Sequence, residues 1–314
     1  MIRHSNNTSE SWRKLPWKKF RKNLFRLQKR IFKARRVDDI ARARSLQKLV
    51  LKSTSASLLA IRQVTQLNKG RKTAGIDGKK ALTFKERFDL YNKLSEVNDW
   101  KHQGLREVPI PKKNGKTRIL KVPTISDRAW QCLIKYALEP AHEATFHARS
   151  YGFRPGRCTQ DAQKMVFNQL KRIGNQFGTS DTNKKKRVIE LDISKCFDRI
   201  SHKSIMDKLI SPTGVKLGIF RCLKAGINPE FPEQGTPQGG VVSPLLANIA
   251  LNGIEDIHPS IRYADDMIFF LKPQDDADKV LNKVSEFLAE RGMEISREKT
   301  KVTATTEGFD FLGW

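Results

Sequence analysis

Two adjacent carboxylates, Asp265 and Asp266, stand between short apolar runs, Ile261-Arg262 and Met267 to Leu271, in the tetrapeptide Tyr263-Ala264-Asp265-Asp266. The pattern predicts a β-hairpin that carries both acids on its turn. Side by side, two Asp repel each other and add nothing to a core, so they end in a solvated turn or beside a cation. A third acid bears on the choice. Asp192 ends the apolar run Val188-Ile189-Glu190-Leu191 and is followed by Ile193. An Asp in such a strand is costly to bury unpaired. It caps a helix, pairs with a Lys or Arg, or joins Asp265 at a metal site. In the last case the three acids would hold two Mg²⁺ ions roughly 3.5–4 Å apart, the arrangement that serves in-line nucleotidyl transfer. One ion would activate a 3′-hydroxyl; the other would steady the triphosphate and the leaving pyrophosphate.

Other segments must position these acids. Val108 to Pro111 and Thr117 to Leu120 read as strands joined across an Asn114-Gly115 turn, a basic hairpin able to face triphosphate oxygens. Ala129 to Leu138 has helical periodicity and is expected to stop at Pro140. Ser150 to Arg157 is a Gly/Pro-punctuated loop leading into a helix from Asp161 to Leu170. Its Arg154 and Arg157 either contact a template or serve structure. Gly174 to Arg187 reads as a flexible insertion before the strand that ends at Asp192. Beyond Asp192 a tight turn can offer backbone N–H groups to phosphates. Ser201 is placed to cap a helix from Lys203 to Ile210, with Asp198 and His202 in structural roles. Gly235 to Pro244 is too rich in Gly and Pro for regular structure and precedes a helical run from Leu245 to Ile254. Asp275 to Arg291 reads as a helix with Val280, Val284, Phe287 and Leu288 inward.

Composition points to a polyanionic partner. The 314 residues carry a net charge of +27. The excess is uneven: residues 1–75 hold 21 basic and 3 acidic side chains. From Trp17, the apolar positions Phe20, Leu24, Leu27 and Ile31 recur at helical spacing among Lys and Arg, and Ile40 to Leu59 continues the pattern. Two or three helices are expected. Such a basic amphipathic stretch could be a targeting peptide or a membrane-surface helix. Beside a candidate polymerase it reads as an RNA-binding surface, with Arg13, Lys18, Lys19, Arg21 and Lys22 as contacts. Cys132, Cys158, Cys196 and Cys222 show no C-x-x-C spacing, so free thiols in a reducing compartment are expected and a zinc site is not. No apolar run is long enough to span a membrane, and the N-terminus has no secretory h-region.

Seven blocks, in order, resemble the reverse transcriptase of a group II intron, the intron-encoded maturase: REVPIPKKNGKTRILKVPTISDRAWQ, SYGFRPGRCTQDA, VIELDISKCFDRISH, GTPQGGVVSPLLANIALNG, IRYADDMIFF, a block ending in ISREKTKV, and FDFLGW. The resemblance implies an α+β fold, with the fingers and palm of a right-hand polymerase. An antiparallel palm sheet with packed helices follows a basic helical N-terminal extension. The corresponding spans are 1–75 (extension), 76–190 (fingers and the start of the palm) and 191–314 (palm). The thumb and the DNA-binding and endonuclease domains of the family are not expected within the given stretch. By resemblance, Asp192, Asp265 and Asp266 are catalytic, and Asp192, Asp265 and the Ile193 carbonyl bind two Mg²⁺. Lys112 and Arg118 clamp the incoming triphosphate, and Gln238 lies near its sugar. Phe197 bars a 2′-hydroxyl. Lys299 stands near the leaving pyrophosphate, where it could act as a general acid. Tyr263 either supports the primer-template or packs across strands. Implied partners are intron RNA, an RNA template with a DNA primer or target, and deoxynucleoside triphosphates, with no membrane. A cytoplasmic ribonucleoprotein is implied, or an organellar one. Two other readings stay open: a splicing cofactor that needs no polymerization, and another bacterial reverse transcriptase, associated with CRISPR, retrons or diversity generation.

Overall fold

A computed structural model describes residues 8–111, 115, 117–176, 186–226 and 230–314. The chain forms two compact units, one running from the N-terminus to Thr145 with Leu209–Ser243, the other comprising Phe146–Lys208 and Pro244–Trp314.

In the first unit, helices Thr8–Arg13, Trp17–Arg36, Ile40–Leu51 and Thr54–Arg62 follow one another. The stretch from Ile40 to Leu59 is thus two helices. Ser53 breaks it, its hydroxyl capping Ala56 N–H. Trp17–Arg36 buries Leu24, Ile31 and Ala34, as its period requires, and leaves Lys and Arg outside. Trp17–Arg36, Ile40–Leu51 and Thr54–Arg62 pack on Ile125–Glu143, which runs through Pro140 instead of stopping there. A proline at that position denies the Tyr136 carbonyl its N–H partner. Gln28 Nε2 from Trp17–Arg36 supplies the missing donor at 3.1 Å, so tertiary packing overrides the local stop. The expected basic hairpin forms from β1 (Arg106–Pro111) and β2 (Thr117–Val122), antiparallel with Pro111 opposite Thr117.

The second unit is built on β3 (Arg187–Leu191), β4 (Ile193–Ser194), β5 (Ser260–Tyr263), β6 (Asp266–Leu271), β7 (Glu294–Ile295) and β8 (Lys301–Ala304). An antiparallel sheet runs in the order β5-β6-β3-β8, and β4 pairs with β7 in a separate ladder. The predicted strand through Asp192 therefore changes sheets at that residue. Val188, Ile261, Ile268 and Phe270 meet Ala162 and Val166 of helix Thr159–Gln176 in one buried cluster. Helix Ala277–Ala289 turns Val280, Val284 and Leu288 inward. Ser201 caps His202–Lys208 through Ser204 N–H at 3.4 Å. Of the expected insertion, residues 177–185 lie outside the described ones. The architecture is α+β: helices first, then antiparallel sheet with packed helices.

Candidate catalytic site

The acids meet because of strand register. β5 and β6 pair with Tyr263 opposite Asp266, leaving Ala264-Asp265 as a two-residue turn. Asp265 therefore sits on the turn, while Asp266 opens β6. Ala264 has φ +60°, a position that hairpins usually give to glycine. Across the sheet β3 pairs with β6, ending at Leu191 opposite Met267. One step further along the two strands come Asp192 and Asp266. Both line an open cleft of about 350 Å³ with Lys299, Asp310 and Phe311.

The electrostatics record the crowding. Desolvation first, then the charges of Asp265 and Asp192, push the Asp266 carboxyl up to about 6, although the outer face of the residue is exposed. Lys299 forms an ion pair with Asp192. That bond raises Lys299; burial opposes it, and the Asp192, Asp266 and Asp265 charges add to the rise. The Ser296–Thr300 turn that carries Lys299 is anchored on Asp192, whose backbone carbonyl accepts from Ser296 N–H at 2.8 Å.

The carboxylates at this corner offer oxygens, with Ile193 next to Asp192 opening β4, and hard oxygen ligands are what Mg²⁺ takes. A cation would relieve the repulsion that raises Asp266. Among the described residues, no three Asp, Glu, His or Cys side chains already stand at the spacing of an assembled ion site. Here the Asp192 carboxylate is taken by Lys299, so binding an ion there requires that pair to open.

The turn is braced by a network that sequence reasoning missed. Arg262, read as part of an apolar run, is fully buried. Its Nε donates to Glu255 Oε1 at 2.6 Å, and its Nη1 to Asn248 Oδ1 at 2.8 Å and to the Ala264 carbonyl at 3.1 Å. Burial alone would raise the Glu255 carboxyl, but the charge and hydrogen bond of Arg262 hold it below its ordinary range. Asn248 Nδ2 donates in turn to the Gly152 carbonyl at 2.9 Å. A Cβ on Gly152 would overlap the Ala264 nitrogen, so only glycine fits against the Ala264-Asp265 turn. The available signal was Arg262 itself: a guanidinium inside a buried strand demands a carboxylate.

Other candidates fall as follows. Phe197 is half-buried on the short helix Cys196–Arg199, which begins after Lys195 in left-handed backbone. Tyr263 is partly buried and packs against the core cluster, matching its cross-strand alternative. Arg154 matches its structural alternative. It is buried, and its Nη1 donates to the His147 and Ser150 carbonyls at 2.7 and 2.6 Å, so it braces its loop and is not presented to a template. Arg157 is half-buried and donates to the Ala148 carbonyl at 2.7 Å.

In the first unit, Arg118 on β2 and Gln238 come together, Arg118 Nε donating to Gln238 Oε1 at 2.6 Å. The Gln238 carbonyl accepts from Lys121 N–H at 2.7 Å, which ties the Gly-rich loop to the hairpin. Buried Gln131 supports the same loop by accepting from Val241 N–H at 2.7 Å. Lys112 lies outside the described residues. Lys18, Lys19, Arg21 and Lys22 are exposed on Trp17–Arg36, and exposed Arg13 leans on the Phe84 ring at 5.9 Å.

A strand-end acid set against a hairpin-borne acid pair, on an antiparallel sheet with packed helices, is the layout of a polymerase palm. The chain belongs to the reverse transcriptase (RNA-dependent DNA polymerase) family, whose model matches residues 110–314; a model of the N-terminal domain of reverse transcriptase matches residues 12–94. Maturase-like protein 1 of Euglena gracilis is 41% identical over 299 residues, covering 95% of this chain and 64% of that protein. The chain thus spans less than two thirds of the length of that relative. The group II intron-encoded protein LtrA of Lactococcus lactis subsp. cremoris is 34% identical over 198 residues, 60% of this chain and 31% of that one. Among solved structures, telomerase from Candida Tropicalis in complex with a TWJ fragment of telomeric RNA aligns with a TM-score of 0.50 at 15% identity. That match covers 68% of this chain and 43% of the other. At that identity the likeness is one of fold.

Proposed function

We propose that the chain is the fingers and palm of a group II intron-type reverse transcriptase, which copies RNA into DNA and also binds intron RNA. The observation that carries this is the convergence of Asp192 with Asp266 and the Asp265 turn, 73 residues away in sequence. Asp192, Asp265 and the Ile193 carbonyl would hold the metal, with Asp266 more loosely engaged. Two bound Mg²⁺ would activate the primer hydroxyl and neutralise the triphosphate. Arg118 and Gln238 would bind the incoming nucleotide, a task Lys112 would share. Phe197 would lie under its sugar and exclude a 2′-hydroxyl. Lys299, raised by its pairing with Asp192, is a counter-charge as it stands; a general-acid role needs it to leave that partner. The exposed basic face of Trp17–Arg36 would grip RNA phosphates. The four free cysteines suit a reducing compartment, the cytoplasm or an organelle.

Primer extension on an RNA template tests the reading. Deoxynucleotides should be incorporated in Mg²⁺, and the double variant Asp265→Asn, Asp266→Asn should be inactive while still binding RNA. Wild-type extension by that variant would overturn the polymerase reading. The Asp192–Lys299 pair favours one second reading, a splicing cofactor that needs no DNA synthesis. Under it, the double variant keeps full splicing assistance, and the wild-type protein extends no primer.

A further inference from the structure

We propose that Phe153 is a second determinant of sugar selectivity, holding the Phe197 ring in the position where it bars a ribonucleotide. The inference rests on the reading of Phe197 as the gate.

A steric gate works only if its ring cannot retreat when a 2′-hydroxyl arrives. Phe197 stands on a helix of only four residues, Cys196–Arg199. Its neighbours across the adjoining crevice include Ala247 and Ala264, both small, and the crevice has no room for a water molecule. Leu251 also lines the crevice, and the aromatic neighbour is Phe153. The two rings meet edge to face, centroids 6.3 Å apart and planes at 78°, the geometry that aromatic pairs prefer.

The backbone of Phe153 shows that this contact is built in. Its φ is +61°, a left-handed conformation that is rare for a bulky side chain. Such conformations persist where the surroundings over-determine them, and they cluster at functional sites. Here the surroundings do so on both sides. Tyr151 N–H donates to the Arg262 carbonyl at 2.8 Å, and Gly152 is wedged against Ala264 with its carbonyl held by Asn248. On the other side Arg154 clamps the Ser150 and His147 carbonyls. A loop fixed this firmly projects a phenyl ring that is still 47% exposed. A residue placed for core burial would not be left so open. Among the described residues, the ring that Phe153 meets is that of Phe197. The same loop also touches the Ala264-Asp265 turn, so gate support and carboxylate placement share one scaffold.

The test measures kcat/KM for a deoxynucleotide and for its ribonucleotide on an RNA template, with wild type, Phe197→Ala, Phe153→Ala and Phe153→Tyr. Phe197→Ala should raise ribonucleotide use. Phe153→Ala should lower the deoxy-to-ribo preference roughly 2- to 12-fold, the range an aromatic pair of this geometry supplies. The drop in preference should come from a rise in ribonucleotide kcat/KM, with the fold intact by circular dichroism. Phe153→Tyr keeps the ring and should keep the preference. If Phe197→Ala relaxes selectivity and Phe153→Ala does not, the inference is overturned while the gate stands. A merely structural Phe153 would lower both efficiencies together and leave their ratio alone, which also overturns it. If Phe197→Ala itself leaves selectivity unchanged, the gate reading fails and takes this one with it.

Discussion

Replacing Arg262 with Met should loosen the β5–β6 hairpin more than any surface change. The substitution strands Glu255, whose side chain, like that of Arg262, has no exposed surface. It also removes the donor to Asn248 Oδ1 and to the Ala264 carbonyl. Breaking a buried ion pair by deleting one partner costs about 3–5 kcal/mol, because the remaining charge is left uncompensated. Amide hydrogen exchange across β5 and β6 is the assay, since it reports the free energy of opening this hairpin directly. At about 1.4 kcal/mol per decade, β5 and β6 amides should exchange roughly two to three and a half orders of magnitude faster. The pH dependence supplies a second readout. Without Arg262, burial, the largest influence on Glu255, outweighs the remaining backbone hydrogen bond and the His147 charge and raises its folded pKa above the unfolded value. The folded state then binds the extra proton, so the defect should shrink as pH falls toward the carboxylate range. Replacing both partners, Arg262→Met with Glu255→Leu, should recover much of the loss. A change of less than tenfold in exchange, or a defect that grows on acidification, would refute the claim that this pair braces the turn.

Three further outcomes are expected. His142 is held down to about 3, mainly by burial and then by Arg35, and its Nε2 accepts from Ile210 N–H at 3.3 Å. Its folded pKa lies below the unfolded one, so the unfolded state takes up the proton first. Its contribution is complete above about pH 6.5 and is lost on acidification by about 1.4 kcal/mol per pH unit; urea titrations of His142→Gln between pH 4.5 and 7 should show a flatter slope. Gln28→Ala leaves the Tyr136 carbonyl without its donor, and thermal unfolding should show a loss of about 1–3 kcal/mol. Lys18→Ala with Lys22→Ala should weaken RNA binding at an unchanged melting temperature. For every phosphate left without its lysine, the plot of log affinity against log salt should flatten by roughly 0.7 to 0.9.

The palm was legible where residue type and period agree. The apolar runs around Tyr263 to Asp266 announced a hairpin, and the isolated Asp192 announced a need for a partner. Register decided what the sequence could not: Asp265 takes the turn and Asp266 the strand, because β5 and β6 close on two residues. The change of sheet at Asp192 has no local signature. It depends on β7, which lies much later in the chain. Pro140 misled because the donor that rescues its helix comes from Gln28 in another helix. Arg154 could have been a template contact or a structural residue by type, and its burial shows the guanidinium bonded to carbonyls. Arg262 was hidden by its apolar neighbours, although a charge in that strand was the strongest local clue to the network behind the site.

The central claim is that Asp192 and Asp265 act as one catalytic unit. Single-nucleotide incorporation on an RNA template with a DNA primer in Mg²⁺ tests it, comparing Asp192→Asn, Asp265→Asn and the double variant. Each single change should cut the rate on the order of 10³-fold, and the double should fall little further, since residues that work as a unit are lost together. Near-wild-type incorporation by either single variant, or losses that simply multiply, would contradict the account.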